Sequence, residues 1–211
     1  MRTSILSLCL FVGTTLTAQD KGFVCGTFAF DNRTIDRNGS DNDRTITSGT
    51  FGPAVGYNIT PVHVVGLALT FSGLTEEYKI DGPTNTRLRV TEKRNLTTIA
   101  PFYRYMKSVN ENFLLYGQVK AGFGFGSERT ETETFNNENE TKLNTTDVRV
   151  GPGIAYVVAD RWALTADWGI LGFYSEKSTL ETPTQDLVTT TSGVQATLNP
   201  ANIVFALNWL F

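Results

Sequence analysis

A small set of polar residues interrupts otherwise apolar segments from Arg104 onward. A charge removed from water must be paired or hydrogen-bonded, because an isolated buried charge is very costly. We therefore predict that Lys120 and Asp167 pair, directly or through a neighbour, and that the polar residues form one network. The predicted network comprises Arg104, Gln118, Lys120, Arg149, Asp167 and Asn208.

The residue types needed for catalysis or metal binding are sparse. His63 is the only histidine, and Cys25 is the only cysteine beyond residue 20, whereas transition-metal sites need several such ligands. The alternating glycines of 122–126 precede no helix, which a phosphate-binding loop requires. The acidic segment 128–147 lacks the ligand spacing and the turn glycine of a calcium loop. We predict no catalytic residue, no metal site and no cofactor.

The positions of the polar residues follow from a pattern with a period of two. Eight segments alternate bulky and small or polar residues, which is typical of β-strands, and no helical pattern of useful length occurs. The connections are long and short in turn, so that an up-and-down arrangement collects all the long ones at one end. The predicted strands are 22–31, 46–58, 62–72, 94–106, 112–126, 147–158, 161–174 and 194–211, and the long connections are 32–44, 73–93, 127–146 and 175–193.

The two faces of these strands indicate which side meets lipid. Odd positions of 65–71 are Val, Leu, Leu and Phe, while even positions of 64–70 are Val, Gly, Ala and Thr. An eight-stranded barrel has an interior only wide enough for side chains, so a bulky interior would be overpacked. The bulky face must then meet lipid, and the polar network lines the lumen. The predicted fold is an all-β, eight-stranded antiparallel up-and-down transmembrane β-barrel.

Composition excludes several other classes. The chain has 211 residues, 40% hydrophobic and 18% charged, with a formal net charge of −3. These values exclude a disordered polyelectrolyte, a disulfide-rich mini-protein and a collagen-like chain. A charge this close to neutral does not favour nucleic-acid binding. Apart from the N-terminus, the sequence holds no long uncharged apolar stretch, which excludes a bundle of membrane helices.

Aromatic residues concentrate near the predicted strand ends. Amphipathic rings favour membrane interfaces, so two girdles of aromatic residues are expected at the two rims of the barrel. The girdle residues are Tyr57, Tyr103, Tyr105, Tyr156, Trp162 and Trp209 at the short-turn rim, and Phe71, Phe123, Phe125 and Tyr174 at the opposite rim.

The N-terminus has the layout of a secretory signal peptide. Arg2 supplies a positive charge, 5–12 is apolar, and small and polar residues lead to Ala18 and Gln19. We predict cleavage near these two residues, which divides the chain into a signal peptide, 1–19, and a barrel domain, 20–211.

The C-terminus resembles that of the small outer-membrane β-barrel family, the OmpA/OmpX/OmpW-like proteins. Alternating Phe205, Leu207, Trp209 and Phe211 end on a phenylalanine, similar to the assembly signal of that family, and 100–105 and 119–126 resemble its strand segments. The resemblance implies the outer membrane of a Gram-negative bacterium, reached through the periplasm. The implied partners are outer-membrane lipid and, during assembly, periplasmic chaperones and the insertion machinery. We expect a monomer that binds no nucleic acid and, since no second domain follows Phe211, no cell-wall tether.

Three functional classes follow from these predictions. The favoured one is a structural or interaction role, with four long extracellular loops and a largely filled lumen. The first alternative is a narrow porin-like or lateral-opening transporter of small or hydrophobic solutes. The second alternative is an enzyme that modifies lipid A. It is the least favoured, because His63 lies at the periplasmic end, away from the outer leaflet, with no serine–histidine arrangement in view.

Overall fold

A computed structural model describes residues 22–35, 44–81, 87–132, 135–180, 186–196 and 203–211. The predicted signal peptide lies outside these described residues. Ten strands form within them, and every predicted strand is present. The strands are β1 (Gly22–Ile35), β2 (Arg44–Thr60), β3 (His63–Asp81), β4 (Arg87–Ser108), β5 (Phe113–Thr132), β6 (Phe135–Ala159), β7 (Trp162–Trp168), β8 (Leu171–Leu180), β9 (Leu187–Ala196) and β10 (Ile203–Leu210).

The strands close into an eight-stranded antiparallel barrel, as predicted. β1 to β6 pair in sequence order, so each is joined to the next as in a hairpin. β7 and β8 are the two halves of the predicted seventh strand and pair with different parts of β6. β10 and the last three residues of β9 correspond to the predicted eighth strand, and the rest of β9 lies in the predicted connection 175–193. β10 pairs with both β7 and β1, which closes the barrel.

The closing ladder is short and lies at the end with the short turns. It runs from Phe23 opposite Leu210 to Gly26 opposite Leu207. The Gly22 and Phe211 backbones exchange two hydrogen bonds of 3.0 Å. Beyond Gly26, β1 pairs only with β2, and β9 pairs only with β8, among the residues that the structure describes. We call this stretch between β1 and β9 the seam.

A bulge separates β7 from β8 and reverses which residues face outward. Gly153 of β6 lies opposite Asp167, but Val150 lies opposite Leu171, so β6 has two residues between these pairs and the other strand has three. One extra residue flips every later side chain to the other face. Gly151 permits the close approach, because a Cβ there would lie 1.7 Å from the Trp168 carbonyl oxygen.

Strands β2 to β6 are much longer than a membrane requires. A tilted transmembrane strand needs about 9–11 residues, and the apolar outer face of β5 runs from Leu115 to Phe125. β6 has 25 residues, so it continues well past the lipid-facing part. We call the end with the short turns periplasmic and the other extracellular, as in bacterial barrels.

Strand structure extends into the predicted long connections. β3 ends at Asp81 and β4 begins at Arg87. β5 ends at Thr132 and β6 begins at Phe135. Polar residues with turn-forming tendencies are accommodated here because the antiparallel ladder supplies their backbone hydrogen bonds. The remainder of each connection lies outside the described residues.

None of the described residues forms a helix long and apolar enough to span a membrane.

Candidate functional site in the barrel lumen

Arg104 fills the periplasmic half of the lumen. Its guanidinium carbon lies 5.1, 5.0 and 4.7 Å from the ring centroids of Phe23, Phe102 and Tyr116. Its Nε donates to Gln118 Oε1, and its side chain is only 8% exposed. Cation–π contacts strengthen when the cation is desolvated, and a planar guanidinium suits stacking between rings. We call this group the plug, and its five residues are Phe23, Phe102, Arg104, Tyr116 and Gln118.

Asp167 neutralises the plug from the opposite wall. Its Oδ2 lies 3.4 Å from Arg104 Nη2, and its Oδ1 accepts a 2.7 Å hydrogen bond from the Tyr116 hydroxyl. Both carboxylate oxygens therefore have a partner in the plug. The buried charge is paired and hydrogen-bonded, as a low-dielectric interior requires.

Lys120 and Asp167, predicted to pair directly or through a neighbour, form neither arrangement among the described residues. Asp167 binds Arg104 and Tyr116 instead, because they approach its two oxygens from β4 and β5. Lys120 lies two residues further toward the extracellular end than Gln118 and makes no hydrogen bond or ion pair with any residue the structure describes. Its cross-strand neighbour is Arg149, whose Nε lies 3.0 Å from Asp147 Oδ2.

Asn208 lies in the lumen but binds the wall rather than the other predicted network residues. Its Nδ2 donates to Thr165 Oγ1 at 2.9 Å and to the Ala163 carbonyl at 3.2 Å. It is 3% exposed, and its Oδ1 has no hydrogen-bond partner among the described residues. Asn208 thus ties β10 to β7 next to the closing ladder.

A cavity of about 440 Å³ lies in the lumen above the plug. Arg104, Gln118 and Asp167 line its floor, and Lys120 and Arg149 line its β5–β6 wall. Its opposite wall is made mostly of small residues of β1, β2, β3 and β10. These are Cys25, Thr27, Ala54, Ala68 and Ala206.

Ion pairs continue into the extracellular half of the lumen. Arg94 of β4 binds Glu176 of β8 and lies 3.9 Å from Glu128 of β5. Arg44 and Glu76 pair near the extracellular ends of β2 and β3, and the neighbouring carboxylate raises the pKa of Arg44.

A tyrosine–carboxylate hydrogen bond lies at the same level. The Tyr78 hydroxyl donates to Glu92 at 2.7 Å, and this hydrogen bond, with partial burial, raises the pKa of Tyr78 to about 12. Ile46, Leu88, Val90 and Leu143 are buried at this end of the barrel, so the extracellular extension has a small apolar core of its own.

Nine of the ten predicted girdle residues lie on the outer face of the barrel. Tyr57, Tyr105, Phe123 and Phe125 are each about half exposed in the isolated chain, which is the exposure expected of rings in contact with lipid. The Trp209 and Phe211 ring centroids are 6.0 Å apart. Phe205 and Leu207 lie on the same face of β10 as Trp209. The other outer-face girdle residues are Phe71, Tyr103, Tyr156 and Trp162.

Tyr174 is the exception, and its assignment to the girdle was wrong. It lies opposite Asp147, and Asp147 lies opposite Gly122 on the lumen face. The extra residue before Leu171 exchanges the inward and outward positions along β8, so Phe173 faces outward instead. A bulge of one residue leaves no clear mark in an alternating pattern, so the sequence alone does not reveal it.

His63 lies on the outer face near the periplasmic rim. Its Nδ1 is 2.6 Å from the Tyr103 hydroxyl, and its ring packs against Tyr103 and Tyr105. No serine is hydrogen-bonded to this imidazole among the described residues. They also contain no group of three or more His, Cys, Asp or Glu side chains that could hold a metal ion.

Three plug residues were not among the predicted site residues. Phe23, Phe102 and Tyr116 are buried aromatic residues on the face that is otherwise small. Their rings fit because Gly56, Gly66 and Gly153 stand beside them. A Cβ at these glycines would lie 2.1–2.4 Å from a ring atom. A large aromatic residue aligned with glycines on neighbouring strands is the signal that the sequence contained.

The family model described as "Outer membrane protein beta-barrel domain" matches residues 4–207. The chain belongs to this family. Its barrel therefore lies in the outer membrane of a Gram-negative bacterium, in contact with lipid on its apolar outer face. A search of curated proteins found no match.

Solved structures similar to this outer-membrane barrel are distant in sequence. A major outer membrane protein from Thermus thermophilus is 12% identical, with a TM-score of 0.48, covering 92% of this chain and 100% of that one. The translocator domain of the autotransporter NalP from Neisseria meningitidis is 10% identical, with a TM-score of 0.43 and coverages of 92% and 90%. The Yersinia pestis outer membrane protein Ail is 14% identical, with a TM-score of 0.30 and coverages of 92% and 100%.

Proposed function

We propose that this outer-membrane barrel has a structural or interaction role, with a lumen that conducts no solute from end to end. The observation that carries the proposal is the plug. Arg104, three aromatic rings and Asp167 occupy the periplasmic half of the lumen and satisfy one another's charges and hydrogen bonds. Opening a passage here would separate a buried ion pair, which is strongly unfavourable.

The extracellular extension supports the interaction role. β3–β4 and β5–β6 form long hairpins whose register pairs continue to Asp81–Arg87 and Thr132–Phe135. Ion pairs and the buried Ile46, Leu88, Val90 and Leu143 stabilise this part of the barrel. A pre-ordered surface of this kind loses little conformational entropy when it binds a partner.

Conductance in planar bilayers tests the proposal. We expect the protein to show no steady ion steps above background, because the plug closes the periplasmic half. Arg104→Ala together with Tyr116→Ala should create steps if the plug is the barrier, and Arg94→Ala in the extracellular half should not. Steady steps from the unmodified protein would contradict the proposal.

A transport role through the wall is a second candidate, favoured by the seam. On the extracellular side of the Gly26–Leu207 pair, β1 and β9 form no backbone ladder within the described part of the chain. Thr27 of β1 and Gln195 of β9, which flank the seam, line the cavity of about 440 Å³. A small solute would then reach the cavity sideways from the bilayer. Thr27→Trp, which fills the cavity side of the seam, should abolish uptake by this route without altering conductance.

A further inference from the structure

We propose that the lumen cavity binds a small organic anion, with its charged group at Lys120 and Arg149 and its apolar body against the opposite wall. This site is separate from the proposed interaction role, since binding in the cavity requires no passage through the plug. The class of ligand is a short-chain carboxylate.

The positive charge of the cavity is not balanced by the protein groups around it. Lys120 and Arg149 are direct cross-strand neighbours and both line the cavity, and like charges placed opposite each other destabilise a sheet. Asp147 is bound to Arg149, and Asp167 is bound to Arg104 and Tyr116. Lys120 therefore has no hydrogen-bonded or ion-paired partner among the described residues, although it points into a lumen.

The two cations are within reach of a ligand. The Arg149 side chain is 68% exposed, and it extends over Gly169 and Gly172, whose missing side chains leave it room. Lys120 stands across the ladder from it on the same wall. An ammonium and a guanidinium side by side can both donate charge-assisted hydrogen bonds to one carboxylate, and such bonds are about twice as strong as neutral ones.

The remaining cavity wall suits a short apolar body. Cys25, Ala54, Ala68 and Ala206 are small apolar residues facing the cation pair across the lumen. A volume of about 440 Å³ falls within the range of known small-molecule sites, which combine an apolar lining with a few placed polar groups. The plug forms a closed floor, so the ligand would be held rather than passed on.

Calorimetry in a non-ionic detergent tests the proposal with three probes of one shape. Hexanoate should bind at one site, and hexanol and hexylammonium should bind at least roughly tenfold more weakly, because each lacks the charge that the cation pair recognises. Equal binding of hexanol and hexanoate would overturn the anion site, and so would the absence of hexanoate binding.

Variants assign the site to the cation pair. Lys120→Met should weaken hexanoate binding at least roughly tenfold, and Arg149→Gln should weaken it as well. Lys177→Met, which removes a lysine from the outer face of β8, is the matched control and should bind hexanoate like the unmodified protein. If Lys120→Met misfolds, Lys120→Gln replaces it, because glutamine removes the charge but keeps a polar side chain. Heat-modifiable gel migration shows whether each variant is folded. Unchanged binding by both Lys120 variants would refute the proposal.

Discussion

In the periplasmic half of the lumen, one guanidinium is enclosed by three aromatic rings and a carboxylate. In the extracellular half, Arg94 is held by Glu176 and Glu128 and remains 32% exposed, against 8% for Arg104. Water screens the second arrangement and is largely excluded from the first. Similar ion pairs should therefore contribute very differently to stability, and the periplasmic half should hold the barrel closed.

The largest expected effect comes from removing the plug cation. Arg104→Met should lower the free energy of unfolding by about 3 kcal/mol, because it leaves the half-buried Asp167 without its counter-charge. Arg94→Met should lower it by about 1 kcal/mol or less, since that pair is partly exposed. Urea unfolding in lipid vesicles, with gel migration as the readout, measures both. Equal losses in the two variants would remove the distinction between the halves.

Packing density provides the next comparison. A Cβ at Gly66 would lie 2.1 Å from Phe102 Cζ and 2.4 Å from the Val55 carbonyl oxygen, whereas a Cβ at Gly49 meets nothing within 4 Å. Gly66→Ala should cost about 1–3 kcal/mol through overpacking of the plug. Gly49→Ala is the control and should change the free energy of unfolding by about 0.5 kcal/mol or less. The same urea assay measures both, and a tolerated Gly66→Ala would show that the plug is loosely packed.

The smallest effect concerns pH at the extracellular end. The hydrogen bond to Glu92 raises the pKa of Tyr78 from 10.0 to about 12, so the folded protein holds this proton more tightly than the unfolded chain. Its contribution to stability is complete below about pH 10 and is lost as the pH rises through about 12. Tyrosinate absorbance of the folded protein should include a group that ionises near pH 12 and is absent in Tyr78→Phe. Tyr105→Phe, at the periplasmic rim, serves as the control and should leave that late group in place.

Most of the fold could be predicted from alternation alone. A period of two places each residue on one face or the other, and bulky against small faces indicate which side meets lipid. The prediction failed where the ladder departs from that regularity. The bulge before Leu171 moves Tyr174 to the lumen face, and the ladders of β3–β4 and β5–β6 extend into segments whose composition is typical of loops.

The sequence by itself determined the number of barrel strands, the lipid-facing surface and some of the polar residues inside the barrel, because these depend only on local alternation and side-chain size. Only the tertiary structure decided which of those polar residues meet. Arg104 rather than Lys120 binds Asp167 because strand register and glycine gaps place the three rings around the guanidinium. Pairing across a lumen depends on height and stagger between strands distant in sequence, and those quantities arise only when the barrel closes.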